Sequence, residues 1–196
     1  YQFTKLSDLE FAEALREGDK MAYGDDPTME ILGCGWAQAV LECGRPIKLP
    51  CNNVGNIKAS PSWIESKDFF VKDAFEFNKA GEKFIEKAAK WRAYATPAEG
   101  AAGYWGLIGN KRYGKVLEAM AAGDPTQATK HLKAGGYFTS DEQKYAKYSN
   151  TLYGEFLKKI APNMSNLRSA PVNSSNIETN DNSPNDIDAL INQLYE

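Results

Sequence analysis

The sequence predicts an α+β domain, mostly helical, with a small β-hairpin lobe flanking a cleft. Three observations carry this prediction. Apolar residues recur at helical intervals up to Cys43 and again from Thr96 onward. Between those stretches, Phe69 to Tyr94 switches to an alternating pattern rich in aromatic residues, which is the period of a strand. Pairs of glycine and asparagine or aspartate (Gly109-Asn110, Gly123-Asp124, Gly135-Gly136) cut the helical half into short segments. A chain of 196 residues suffices for one domain with a sizeable core. The composition divides it into a domain over 1–160, a linker over 161–185 and a terminal segment over 186–196.

The elements follow in order. Thr4 to Glu17 places Leu6, Leu9, Ala12 and Leu15, and less regularly Phe11, at helical intervals, with Ser7 suited to cap the helix and Gly18 to stop it. Asp26 before Pro27 reads as the start of a second helix, because proline suits the first helical position. This helix extends to Cys43. Its apolar residues (Met29, Ile31, Leu32, Trp36, Ala37, Ala39, Val40, Leu41) surround most of its circumference, the mark of a buried helix. Arg45 to Pro61, with Pro46, Pro50, Gly55 and consecutive asparagines, reads as loop. The hairpin has arms Phe69 to Phe77 and Glu82 to Tyr94, joined by the turn Asn78-Lys79-Ala80-Gly81. Helices are then expected over Pro97 to Ile108, Lys111 to Ala122, Pro125 to Ala134 and Ser140 to Ile160, the first opened by a capping box from Thr96 to Glu99.

Charge and cysteine usage exclude several classes of function. A net charge of −3, with no basic stripe, argues against a nucleic-acid partner. No apolar run approaches the length of a bilayer span, so membrane insertion is not expected, and the N-terminus lacks the basic-then-apolar layout of a signal peptide. Cys34, Cys43 and Cys51 do not make a disulfide framework; Cys43 and Cys51 bracket a short loop and are close enough in sequence to pair, but free thiols are the commoner case. One histidine, His131, and no Cys-x-x-Cys spacing leave no basis for a metal site or another cofactor. His131 is read as structural or exposed.

Glu42 is the residue that asks for an explanation. A carboxylate at the end of a buried helix is costly unless it has a partner or a task. One reading ties it to Arg45 or Lys48 as an ion pair. The other uses the burial: a carboxylic acid kept protonated near neutral pH by apolar surroundings is a general acid for glycosidic cleavage.

The string AQAVLECG, followed by NNVGNIKAS-x-S-W, resembles the glucosaminidase family of bacterial and phage cell-wall hydrolases. The helix of that family reads Ala-Gln-Ala-x-x-Glu-Ser-Gly, and its next loop reads Asn-x-Phe-Gly-x-Lys. The likeness continues, in order, through Trp91-Arg92-Ala93-Tyr94, Pro97-Ala98-Glu99-Gly100, Tyr104, Arg112-Tyr113, Ala134-Gly135-Gly136-Tyr137 and Tyr145-Ala146, covering roughly Leu6 to Ile160. The departures are Cys43-Gly44-Arg45-Pro46 in place of Ser-Gly-Trp-Gly, and Val54 where the family has phenylalanine.

The resemblance implies a lysozyme-like fold and cleavage of the peptidoglycan glycan strand of the endo-β-N-acetylglucosaminidase type, outside the cytoplasm. It makes Glu42 the general acid. It places a second carboxylate on the hairpin lobe, where Glu76 before Phe77 matches best and Glu65, Asp68 and Asp73 compete. Carboxylate separation would tell a water-activating base, at about 6.5–9.5 Å, from a nucleophile, at about 5–5.5 Å. Among Tyr94, Tyr104, Trp105, Tyr113, Tyr137 and Tyr145, all suited to a saccharide cleft, Tyr104, Tyr137 and Tyr94 are expected to bind substrate. Asn53 is expected to contact an acetamido group or to fix its loop, and Trp36, Trp91 and Trp105 to be structural. A lytic transglycosylase or muramidase, or a non-catalytic wall-binding subunit, is the alternative.

The tail bears on context. Ala161 to Asn185 has the composition of a linker, whereas Ile187, Leu190, Ile191 and Leu194 share one helical face. A docking helix of this kind implies a protein partner in a larger assembly, such as a phage tail or baseplate.

Overall fold

In a computed structural model the described residues are 1–77 and 82–167, without the side chains of 76, 77 and 165–167. The expected turn at 78–81 and docking helix at 186–196 lie outside them, as does the linker from residue 168 onward.

Helix α1 (Asp8–Tyr23) opens with Ser7, whose hydroxyl accepts from the Glu10 amide while the Glu10 carboxylate accepts from the Ser7 amide, a complete capping box. The expected stop at Gly18 is corrected: the helix runs on to a left-handed cap at Gly24. Gly18 is mid-helix because α1 there touches α4 (Pro97–Ile108); a Cβ at Gly18 would lie 2.5 Å from that of Ala101. The absence of a side chain serves close packing rather than termination.

Helix α2 (Met29–Cys43) is the axis of the domain, with every residue from Leu32 to Leu41 buried. Its cap is Thr28, not Asp26, because the Asp26 carboxylate is held by Arg16 at 2.8 Å on α1. Trp36 and Trp105 are fully buried, and their indole N–H groups donate to the carbonyls of Asp8 and Leu15. Truncating either to alanine would cost about 3–5 kcal/mol.

The segment after α2 is not all loop. Strand β2 (Lys48–Pro50) pairs antiparallel with β1 (Phe3–Lys5), matching Phe3 to Pro50 and Lys5 to Lys48. This ribbon places the N-terminus beside the C-terminal end of α2. Pro61–Ser66 forms a short helix, α3, capped by Ser60.

The lobe is a hairpin in two tiers. Strands β3 (Phe69–Val71) and β6 (Lys90–Arg92) form its base; β4 (Ala74–Phe77) and β5 (Lys83–Glu86) form its tip. Asp73 pins the corner between tiers, accepting from the Ala88 amide at 2.9 Å and pairing with Lys87 at 2.7 Å.

The helical half follows the predicted layout with two changes. Lys111 to Ala122 divides into a 3-10 turn (Lys111–Tyr113) and α5 (Val116–Ala121), broken at Gly114 with φ 62°. α6 (Pro125–Ala134) is capped by Asp124. α7 (Glu142–Glu155) then passes through one π turn (Phe156–Ile160) into α8 (Ala161–Leu167). Residues 161–167, expected as linker, are therefore helical, and buried Met164 extends the stripe formed by Leu152, Phe156 and Ile160. The extra residue of a π turn shifts the helical phase, and here Phe156 meets Trp36 at 5.7 Å.

Candidate active site

Glu42 sits in the last turn of α2, half-buried, where the apolar helix meets a cavity of about 330 Å³. Its Oε1 accepts a hydrogen bond from the Tyr145 hydroxyl of α7 at 2.8 Å. That hydroxyl in turn accepts from the Gln38 Nε2 at 3.1 Å. Gln38 Oε1 accepts from the Tyr104 hydroxyl. Gln38 lies four residues before Glu42, one helical turn deeper on the same face. The chain has a direction: the single Tyr145 proton is spent on Glu42, so its oxygen must take the amide N–H. Stacking against Phe138, at 3.9 Å and 5°, fixes the Tyr145 ring.

Burial raises the Glu42 carboxyl from 4.5 to about 7, against the lowering effect of the Tyr145 hydrogen bond. Near neutral pH a large fraction of Glu42 is thus a proton donor. The ion-pair reading is resolved by Arg45, which is committed elsewhere. Its guanidinium pairs with Asp8 and with Glu155, each at 3.2 Å, and lies over the Trp36 ring. Cys43 is unpaired with Cys51, and burial pushes its thiol up to about 12, so it is not a thiolate nucleophile.

The other expected residues divide. Asn53 borders the cavity, but its amide is spent: Nδ2 donates to the carbonyls of Ile57 and Arg92, and Oδ1 accepts from the Ile57 amide. It fixes the loop, the second of its two expected roles. Tyr104 is corrected from a substrate contact to a support, since it is fully buried beneath the loop. Tyr137 donates to the Gly55 carbonyl at 3.3 Å, and burial together with the Glu42 charge holds its hydroxyl well above the usual tyrosine range. Gly55, at φ 76°, must be glycine for this: a Cβ would lie 2.8 Å from the Tyr137 oxygen and 2.9 Å from Tyr104. Tyr94 is also corrected. It fills the seam between lobe and body, edge-on to Trp63 at 5.3 Å, and does not line the cavity.

Glu76 lies on β4 opposite Phe84, and its side chain is outside the described residues. Of its competitors, Asp73 is the corner pin, while Glu65 and Asp68 are exposed and absent from the cavity wall. Among the described residues no cluster of three His, Cys, Asp or Glu side chains is placed to hold a metal ion, and no helix is long and apolar enough to cross a membrane.

Sequence reasoning passed over Gln38 as a site residue, although its spacing from Glu42 marks it. It also passed over Phe3, Lys48 and Lys72, which line the cavity with Glu42. No local signal identifies those three, because the pairing of β1 with β2 brings Phe3 and Lys48 there and the base of the hairpin lobe brings Lys72.

A central buried helix ending in a half-buried carboxylate, beside a small antiparallel lobe, defines a lysozyme-like α+β domain. Solved structures share the fold, among them a peptidoglycan hydrolase and a glycoside hydrolase domain. A peptidoglycan hydrolase mutant from Sphingomonas sp. A1 superposes with a TM-score of 0.57 at 23% identity, over 81% of this chain and 97% of that one. A C-terminally truncated glycoside hydrolase domain from Salmonella typhimurium FlgJ gives a TM-score of 0.51 at 23% identity, over 77% of this chain and 98% of that one. No protein-family model and no curated protein matches the sequence.

Proposed function

We propose that the protein is a peptidoglycan hydrolase that cleaves the β-1,4 glycan strand by general acid catalysis at Glu42, acting on the cell wall. The observation that carries this is the placement of Glu42: a carboxyl with its pKa raised to about 7, facing a cavity and held by a one-way chain of hydrogen bonds. In the reaction Glu42 gives its proton to the glycosidic oxygen as the bond breaks. The carboxylate left behind keeps the Tyr145 hydrogen bond, which strengthens once its acceptor is charged. The two relatives in fold, described as a peptidoglycan hydrolase and a glycoside hydrolase domain, support the same substrate class.

Replacing Glu42 with Gln keeps the shape and removes the proton. Clearance of purified peptidoglycan should fall by ~10²–10⁴-fold, and a variant that clears at the original rate would remove Glu42 from the mechanism. Mass spectrometry of the wild-type fragments identifies the bond: an endo-N-acetylglucosaminidase leaves reducing N-acetylglucosamine ends. One observation favours a second reading, since among the described residues Glu42 is the only carboxylate lining the cavity. A lytic transglycosylase needs one such group, and anhydromuramic ends would establish it. In the hydrolase reading Glu76, or the substrate's own acetamido group, stabilises the oxocarbenium-like charge or activates water. The linker-like composition after residue 167 and the apolar spacing of Ile187, Leu190, Ile191 and Leu194 in the sequence support carriage of the enzyme in a larger assembly such as a phage tail.

A further inference from the structure

The cavity beside Glu42 has a wall that the acid chemistry does not use. Phe3 on β1 lines it while remaining 53% exposed, and Lys48 on β2 and Lys72 at the end of β3 line it as well, both exposed. Neither lysine makes an ion pair with any described residue, in contrast to Arg45 in the same wall, which is neutralised by Asp8 and Glu155. Two cations with no ion-pair partner among the described residues and an exposed aromatic ring therefore share a cavity whose one described acidic side chain is Glu42.

Phe3 is held there by structure. The β1 register sets it opposite Pro50, and Tyr1 packs edge-on against it at 5.3 Å while also contacting Phe70 of the lobe at 4.9 Å. An exposed ring on a cavity wall is a surface for the apolar face of a sugar. Lysine ammonium groups on flexible stems are suited to a carboxylate whose position varies.

Resting on the reading of the protein as a peptidoglycan hydrolase, we propose that Phe3, Lys48 and Lys72 form a subsite for a sugar carrying a carboxylate-bearing substituent, next to the bond that Glu42 cleaves. The glycan strand of peptidoglycan offers this group on alternate sugars, as the carboxylates of the peptide stem or, where the stem has been removed, as the lactyl carboxylate itself. The subsite sets the register: a strand bound with its carboxylated sugar against the lysines presents the same one of the two alternating linkages to Glu42 each time. Part of the specificity thus comes from the ribbon of β1 and β2 rather than from the acid's own helix.

The test compares rates on three soluble glycans: stem-bearing strands, amidase-stripped strands with bare lactyl carboxylates, and neutral chitooligosaccharides. In a Lys48→Gln/Lys72→Gln variant, kcat/KM on stem-bearing strands should fall ~10-fold relative to the neutral glycan, the scale of losing one charge-assisted contact, and its salt dependence should flatten. The Lys48→Arg/Lys72→Arg variant should restore the ratio. Phe3→Ala should lower the rates on charged and neutral glycans alike. A deficit confined to stem-bearing strands assigns the contact to the stem, and one shared with stripped strands assigns it to whichever carboxylate lies nearest the ring. An unchanged ratio, or an equal loss on the neutral glycan, overturns the subsite while leaving wall hydrolysis intact. Wild-type protein that cleaves none of the three glycans removes the functional reading instead.

Discussion

At the scale of single residues, the Glu42 proton is set by two opposed effects that can be separated experimentally. Burial raises its pKa and the Tyr145 hydrogen bond lowers it, with burial the larger. A general acid works while protonated, so kcat/KM should decline as pH rises through about 7. Tyr145→Phe removes only the lowering effect on the carboxyl. The descending limb of the pH profile should then move upward by ~0.5–1 unit, with a lower maximum because the Gln38 amide N–H loses its acceptor. A limb that stays in place or moves downward would show that the Tyr145 hydroxyl does not act on the ionised acid. Gln38 is a positioning residue in this scheme. Its partners include Tyr104 on α4 and Tyr145 on α7, so the orientation of the acid is fixed by the packing of three helices.

At the scale of elements, α1 carries a second buried carboxylate that the chemistry does not use. Asp19 is 5% exposed, and burial alone raises it from 3.8 to about 6. The folded pKa lies above the unfolded one. Its contribution to stability is therefore fully present below about pH 4 and is lost as pH rises through 6. Asp19→Asn removes that dependence. The variant should be more stable than wild type at pH 8, on the order of 1–2 kcal/mol, with no such gain at pH 4. Denaturant titrations at the two pH values check this, and an equal shift at both would trace the effect to packing. The same helix shows what sequence could reveal. Its cap at Ser7 is local chemistry and was legible, whereas the Glu10 half of the box was passed over. Its end was not legible, because Gly18 carries the same letter whether it stops a helix or lets α4 approach. α2 was legible as a buried helix from its apolar circumference, and Glu42 with it. The β1 and β2 strands span three residues each, too few to show alternation, so the wall holding Phe3 and Lys48 left no trace in the pattern. Asn53 and Tyr104 were expected to contact substrate, yet a one-dimensional reading cannot distinguish a side chain facing the cavity from one spent on the structure beneath it.

For the whole molecule, the question is how a small hairpin lobe is held at a fixed distance from the acid on the helical body. Two adjacent asparagines make the joint. Asn52 donates to the carbonyls of Tyr94 and Ala95 at 3.0 Å and accepts from the Thr4 hydroxyl at 2.6 Å, joining the N-terminal strand to the exit of the lobe. Asn53 joins the loop to Arg92 on β6. The same loop touches the acid, because the Asn56 side chain donates to the Glu42 backbone carbonyl at 2.7 Å. Motion of the lobe is thereby tied to the position of Glu42. Asn53→Ala leaves the Ile57 amide and the Arg92 carbonyl without this partner, while the Ile57 carbonyl keeps the Arg92 amide, and unsatisfied buried groups cost about 1–3 kcal/mol each. Global stability should fall by roughly 2–4 kcal/mol. The loss should not be spread evenly: amide hydrogen exchange should accelerate first in the 52–58 loop and in β3 and β6, while α2 and α7 retain protection until global unfolding. The ratio of kcat/KM to the folded fraction should also fall, because folded molecules would hold the lobe in a broader range of positions. Uniform loss of protection across helices and lobe would show instead that the two parts unfold as one unit and that the asparagine pair adds stability without controlling the cleft.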